Sequence, residues 1–191
     1  MAIIPGVVAS SISGHLQTNN FFLISQQSVS SGTSVTFSSI PNTYKTLQVR
    51  ANILCNTANI GMNMTLNGDT TTTYWSHTLY GNQSSATWGQ TSQTSGIGIA
   101  RLDGSSAGIQ NSYPYGLILD LIDYTSTSKF KTIKAIGGVS SNSTNGAQNV
   151  ASFVSGLYPS TSAITSLTFT LQAGSSYPYI SGTTFSLYGV S

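Results

Sequence analysis

With four aspartates, no glutamate, two histidines and one cysteine in 191 residues, the chain has few ways to assemble an acid, a base or a metal site. Asp120 and Asp123 are the closest carboxylates, but glycoside hydrolysis needs two carboxyls facing one substrate, and positions three apart on a strand point to opposite faces. They are expected instead to balance Lys129, Lys131 and Lys134 across the adjoining hairpin. Asp69 and Asp103 each sit beside a glycine, which is turn chemistry. His15 and His77 make no i, i+4 pair of the kind that holds zinc on a helix, so no metal is expected. Gly104-Ser-Ser-Ala-Gly108 matches a nucleophile elbow in letters, yet that device needs a strand before it and a helix after it. Ile-Gln-Asn-Ser-Tyr-Pro follows instead, so Ser106 is expected to be inert and the chain to be neither an enzyme nor a cofactor binder.

Aromatic side chains offer a second kind of chemistry. Tyr113-Pro-Tyr115 and Tyr177-Pro-Tyr179 form an internal echo, each preceded by serine, while Tyr74, Trp75, Tyr80 and Trp88 flank a polar stretch. Rings that stack on the apolar face of a pyranose beside amide and hydroxyl partners make a sugar site. Tyr113, Tyr115, Tyr177, Tyr179, Trp75 and Trp88 are the candidates for a glycan. The competing reading is that these rings cover the ends of a sandwich and the prolines mark strand edges.

The elements that position these residues follow from patterning. Charged residues are 5% of the chain against aromatics at 10%, and Val, Ile and Thr run throughout. Such a chain folds, but its hydroxyl- and amide-rich surface has little charge repulsion to keep copies apart. A net charge of +2 is too weak to hold a polyphosphate, so nucleic acid is not an expected partner. No apolar run is long enough to span a bilayer as a helix, and no membrane partner is expected. The opening Met-Ala-Ile-Ile-Pro-Gly-Val-Val-Ala lacks the basic region of a secretory signal, which implies synthesis and assembly in a cytoplasm.

From Phe21 onward apolar residues keep a period of two between Gly, Asn and Ser clusters, the pattern of short antiparallel strands. Eleven strands are expected: 21–25, 33–37, 46–55, 60–66, 73–80, 96–101, 115–123, 130–136, 150–158, 164–171 and 184–190. The fold class is therefore all-β, a two-sheet antiparallel β-sandwich of the jelly-roll type over residues 21–191, with an extended N-terminal arm over residues 1–20. Strand 46–55 is expected to be central, with Leu47, Val49, Ala51, Ile53 and Cys55 buried and Gln48, Arg50 and Asn52 on the other face. Asn67-Gly68 signals a type I′ hairpin turn, and Thr125 to Ser128 a looser one. Residues 81–95 and 103–112 are expected to be long polar loops.

Several segments together resemble small structural proteins of tailed bacteriophages, especially those of marine and cyanobacterial hosts. They are the opening Met-Ala-Ile-Ile-Pro-Gly-Val-Val-Ala-Ser-Ser-Ile-Ser-Gly-His-Leu, the run from Val35 to Arg50, the turn Leu66-Asn-Gly-Asp69, the run from Leu117 to Tyr124, the strand opening at Lys129-Phe-Lys-Thr-Ile133 and the closing Phe185-Ser-Leu-Tyr-Gly-Val190. The resemblance implies a virion component. The expected role is a capsid decoration or cement protein whose arm docks on a neighbouring subunit through Ile3, Ile4, Val7 and Val8. Its partners would be further copies of itself, with phage architecture suggesting a trimer, and other virion proteins such as the major capsid protein. The alternative is a tail or fibre recognition module that binds host-surface glycans.

Overall fold

The computed structural model describes residues 21–56, 60–82, 85–100, 113–140, 149–172 and 177–191. The arm, with Ile3, Ile4, Val7, Val8 and His15, lies outside these residues, as does Gly104 to Gly108. Among the described residues there are twelve strands and no helix: β1 (Phe21–Val29), β2 (Ser34–Phe37), β3 (Thr46–Ile53), β4 (Met62–Leu66), β5 (Tyr74–Asn82), β6 (Ala86–Gln93), β7 (Ile97–Ala100), β8 (Tyr115–Ile122), β9 (Lys131–Val139), β10 (Val150–Tyr158), β11 (Leu167–Leu171) and β12 (Thr183–Val190). All pairings are antiparallel.

The strands form one sheet of eight, in the order β1-β12-β3-β8-β9-β10-β5-β6, and one of four, in the order β2-β11-β4-β7. Without the hairpin β5-β6 and the pair β9-β10, the orders reduce to β1-β12-β3-β8 and β2-β11-β4-β7. That is a jelly roll of two four-stranded sheets. The remaining four strands prolong its first sheet beyond β8 and, with β8 as the strand shared with the jelly roll, form an extension, which is roofed on the inside by β7 lying against β5, β6 and β10.

Alternation builds the core between the sheets. Strand β3 buries Leu47, Val49 and Ile53 while Arg50 and Asn52 face outward, and Cys55 is buried just past its end; Ala51 is only half-buried. Strand β8 buries Leu117, Leu119 and Leu121, and the small sheet answers with Val35, Phe37, Met62, Met64, Leu167 and Phe169. Two glycines permit close approach where a side chain would not fit. A Cβ on Gly137 would lie 2.5 Å from the Tyr115 ring, and one on Gly156 would lie 2.6 Å from a methyl of Ile97. Gly156 is the notch through which β7 seats under β10.

Two expectations about connections need correction. Asn67 and Gly68 both have positive φ, 54° and 65°, and the Asp69 amide donates to the Leu66 carbonyl at 3.0 Å, so the turn chemistry is as expected. However, β4 pairs with β11 and β7 rather than β5, and the turn carries the chain from one sheet to the other. The Asn67 amide instead holds the approach to β11, donating to the Ala163 carbonyl at 2.8 Å and accepting from the Thr165 amide at 2.8 Å. The stretch 81–95 is not a long loop, because most of it is strand β6, paired with β5 from Tyr74–Gln93 to Gly81–Ala86.

Candidate assembly face

Strand alternation places every second residue of the eight-stranded sheet on its outer face, and the register decides which of them are neighbours. Arg50 of β3 pairs with Ile118 of β8, Ile118 with Ile136 of β9, Ile136 with Phe153 of β10, Phe153 with Leu79 of β5, and Leu79 with Trp88 of β6. The last five make an unbroken row of large apolar side chains directly across five strands. They are exposed by 49%, 62%, 43%, 57% and 75% in that order. Isolated surface hydrophobes are ordinary, but a contiguous row is the mark of an interaction surface.

One step along the strands, on the same face, a second row contains Gly116, Gly138, Ala151, Gly81 and Ala86, each two residues from a member of the first. The contrast in size leaves a shallow apolar hollow of about 400 Å³ bounded by Leu79, Ile136 and Phe153 and floored by Gly81, Ala86 and Ala151. On the other side of the large row come Asp120, Lys134, Ser155, His77 and Gln90, a polar border.

The jelly-roll half of the same face has different chemistry. The Arg50 guanidinium lies 5.2 Å from the ring centroids of both Phe21 and Tyr188 and donates to Gln48 Oε1 at 2.7 Å. Gln48 in turn donates to Asp120 Oδ1 at 2.8 Å. The cation is thus satisfied within the chain, which closes off the apolar row at β8.

The charged groups expected to balance one another separate into two arrangements. Asp123 lies beyond the end of β8 at φ 52° and accepts from Lys129 Nζ at 2.8 Å; that hydrogen bond, and then the charge of Asp123, raise the pKa of Lys129. Lys131 does not join this pairing. Its side chain turns inward, and its ammonium donates to the carbonyls of Ser126, Lys129 and Thr161 at 2.7, 2.8 and 3.2 Å. Desolvation lowers its pKa, and the charge of Asp123 opposes that shift. This amine is a clamp on the β8–β9 loop. Among the described residues no group of three His, Cys, Asp or Glu side chains could hold a metal ion.

The aromatic candidates divide in the same way. Tyr115 and Tyr179 are fully buried, so neither ring can stack on a ligand. Tyr115 shares a hydrogen bond of 2.7 Å with Ser152, and burial pushes its phenol up to about 12. Tyr179 packs edge-on to Phe185, and its phenol donates toward Met62 and the Phe169 carbonyl. In both Tyr-Pro-Tyr repeats the second ring enters the core because it starts a strand or bridge on the inward face. Tyr113 is half-buried against the core and Tyr177 is exposed. Tyr74 and Tyr80 are buried, whereas Trp75 and Trp88 stand on the outer face. Trp75 lines a separate hollow of about 410 Å³ with His77, Thr132 and Ser155.

The row across five strands escaped the sequence because its members are far apart in the chain; only the register brings them together. A run such as Leu117 to Ile122, apolar on both faces of one strand, was the available signal. No family model, curated protein or solved structure matches the chain.

Proposed function

We propose that this chain is a non-catalytic structural subunit of a tailed-phage particle, made in the host cytoplasm and built into the virion. In this reading it is a decoration or cement protein on the capsid, anchored by its arm through Ile3, Ile4, Val7 and Val8. The observation that carries the assembly part is the apolar row from Ile118 to Trp88 on the outer face of the extension. The particle itself comes from the sequence resemblance.

Two changes to the chain test the reading. Deleting residues 1–15 is expected to leave the melting temperature of the sandwich nearly unchanged and to lower occupancy on purified particles severalfold. Replacing Ile136 with serine is expected to lower occupancy as well. Equal loading of both variants and the intact chain, by gel densitometry, would overturn the reading.

A second reading, a tail or fibre module that binds glycans, is favoured by the hollow beside Trp75, where an exposed ring adjoins His77, Ser155 and Thr132. Loss of glycan-array binding in a Trp75→Ala variant, with particle loading intact, is the result expected of that reading.

A further inference from the structure

We infer that the extension's outer face packs against the same face of a second copy, with the large row of each copy seated in the small row of the other. The inference rests on the reading of this face as an assembly surface, and it does not depend on the particle being a phage.

On each of the five strands a large and a small residue stand two positions apart on one face: Ile118 with Gly116, Ile136 with Gly138, Phe153 with Ala151, Leu79 with Gly81, and Trp88 with Ala86. In every case the large member lies on the same side of the small one, so the face consists of one ridge beside one trough. A two-fold axis lying in the interface, parallel to the rows and midway between them, exchanges ridge and trough. Phe153 then lies over Ala151 of the second copy, Ile136 over Gly138 and Leu79 over Gly81, with each strand facing its own counterpart. A self-complementary patch is what an isologous interface requires. Aligned sheets tolerate a rotation of about 30° between strand directions, so sheet twist does not prevent the fit.

The area falls at the lower end of what a specific interface buries, roughly 600 Å² per partner. Five strands about 4.8 Å apart and seven residues at about 3.4 Å give a face of roughly 24 by 24 Å, near 600 Å² in projection, and a ridged surface of that size approaches the roughly 800 Å² per partner of a standard interface. Charge does not oppose the approach, because Asp120 and Lys134 are the only ionised groups of the described outer face of the extension and they border the ridge rather than occupy it. A sugar would need hydrogen-bonding groups in the trough. The trough instead offers glycine and alanine, as the apolar face of a second copy needs.

The test is sedimentation equilibrium of the intact chain beside two variants, Phe153→Ser, which removes a ridge residue, and Ala151→Glu, which fills the trough. The intact chain is expected to dimerise, and each variant to dissociate about thirtyfold more readily or worse. Both positions are on the outer face of the single chain, so at concentrations low enough for the parent to be monomeric the variants should melt within a few degrees of it, and the gap should widen as concentration rises and the parent dimerises. Register is read independently with a bismaleimide spanning about 10 Å. Two copies of Ala151→Cys place their thiols about 10 Å apart and cross-link, whereas Gln90→Cys places them about 20 Å apart and does not. A monomeric parent at high concentration overturns the pairing. If particle loading still depends on Ile136 in that case, the face serves a different protein and the assembly reading stands. A dimer indifferent to both substitutions, or cross-linked through Gln90 and not Ala151, also overturns it.

Discussion

Lys131 and Asp69 show how a chain with so few charges uses them internally. The Lys131 ammonium donates to three backbone carbonyls, those of Ser126, Lys129 and Thr161. Removing one partner of a buried charged hydrogen-bond set exposes the cost of desolvating what is left. Lys131→Met is therefore expected to lower unfolding stability by about 3 kcal/mol in urea titration. Asp69 accepts hydrogen bonds from the backbone amides of Thr71 and Thr72 at 2.8 and 3.2 Å, and from the Tyr158 phenol at 2.9 Å. The Thr71 amide is the largest influence, and together these donors hold the carboxyl well below the usual carboxylate range. Because the folded pKa is depressed, this contribution is present above about pH 4, the unfolded value, and fades as pH falls further. The melting temperature of the parent should drop on acidification below about pH 4, and Asp69→Asn should start lower and fall less steeply. The sequence marked Asp69 correctly as a turn residue. It could not show that Tyr158, 89 positions away, completes the turn.

At the level of elements, the strand read most securely was one with an apolar and a polar face, β3, because burial enforces a period of two. Strand β6 was missed for the opposite reason. Thr87, Gly89 and Thr91 on one face and Trp88 and Gln90 on the other give no apolar alternation, since this edge strand has β5 as its one sheet neighbour among the described residues and makes polar contacts such as Ser76 to Thr91 at 2.6 Å. The glycan candidates Tyr115 and Tyr179 failed because an aromatic beside proline reads alike whether it caps an edge or enters the core. The seat of β7 under β10 is a sharper test of the fold. Gly156→Val would drive a branched side chain into the buried Ile97 and is expected to cost about 1–3 kcal/mol, measured by chemical denaturation. The double variant with Ile97→Ala should recover part of that loss, as coupled neighbours do.

For the whole molecule, the jelly roll and its extension share a sheet but are connected differently in sequence. Hairpin β5-β6 leaves the chain between two strands of the small sheet, β4 and β7, whereas β9-β10 leaves it between β8 and β11; among the described residues the two pair where β5 joins β10. That junction joins residues such as His77 and Ser155, 78 positions apart. Pairing across so long a stretch forms slowly, because the chain must close a large loop before the strands reward it. Until it closes, β10 is an unpaired edge next to an apolar ridge, a combination that invites other chains. Refolding yield is therefore expected to fall as protein concentration rises, and more steeply for the parent than for Phe153→Ser. Synthesis from the ribosome reverses the order of risk: β5 and β6 emerge well before β10, so the hairpin that must protect the late strand is already waiting when that strand appears.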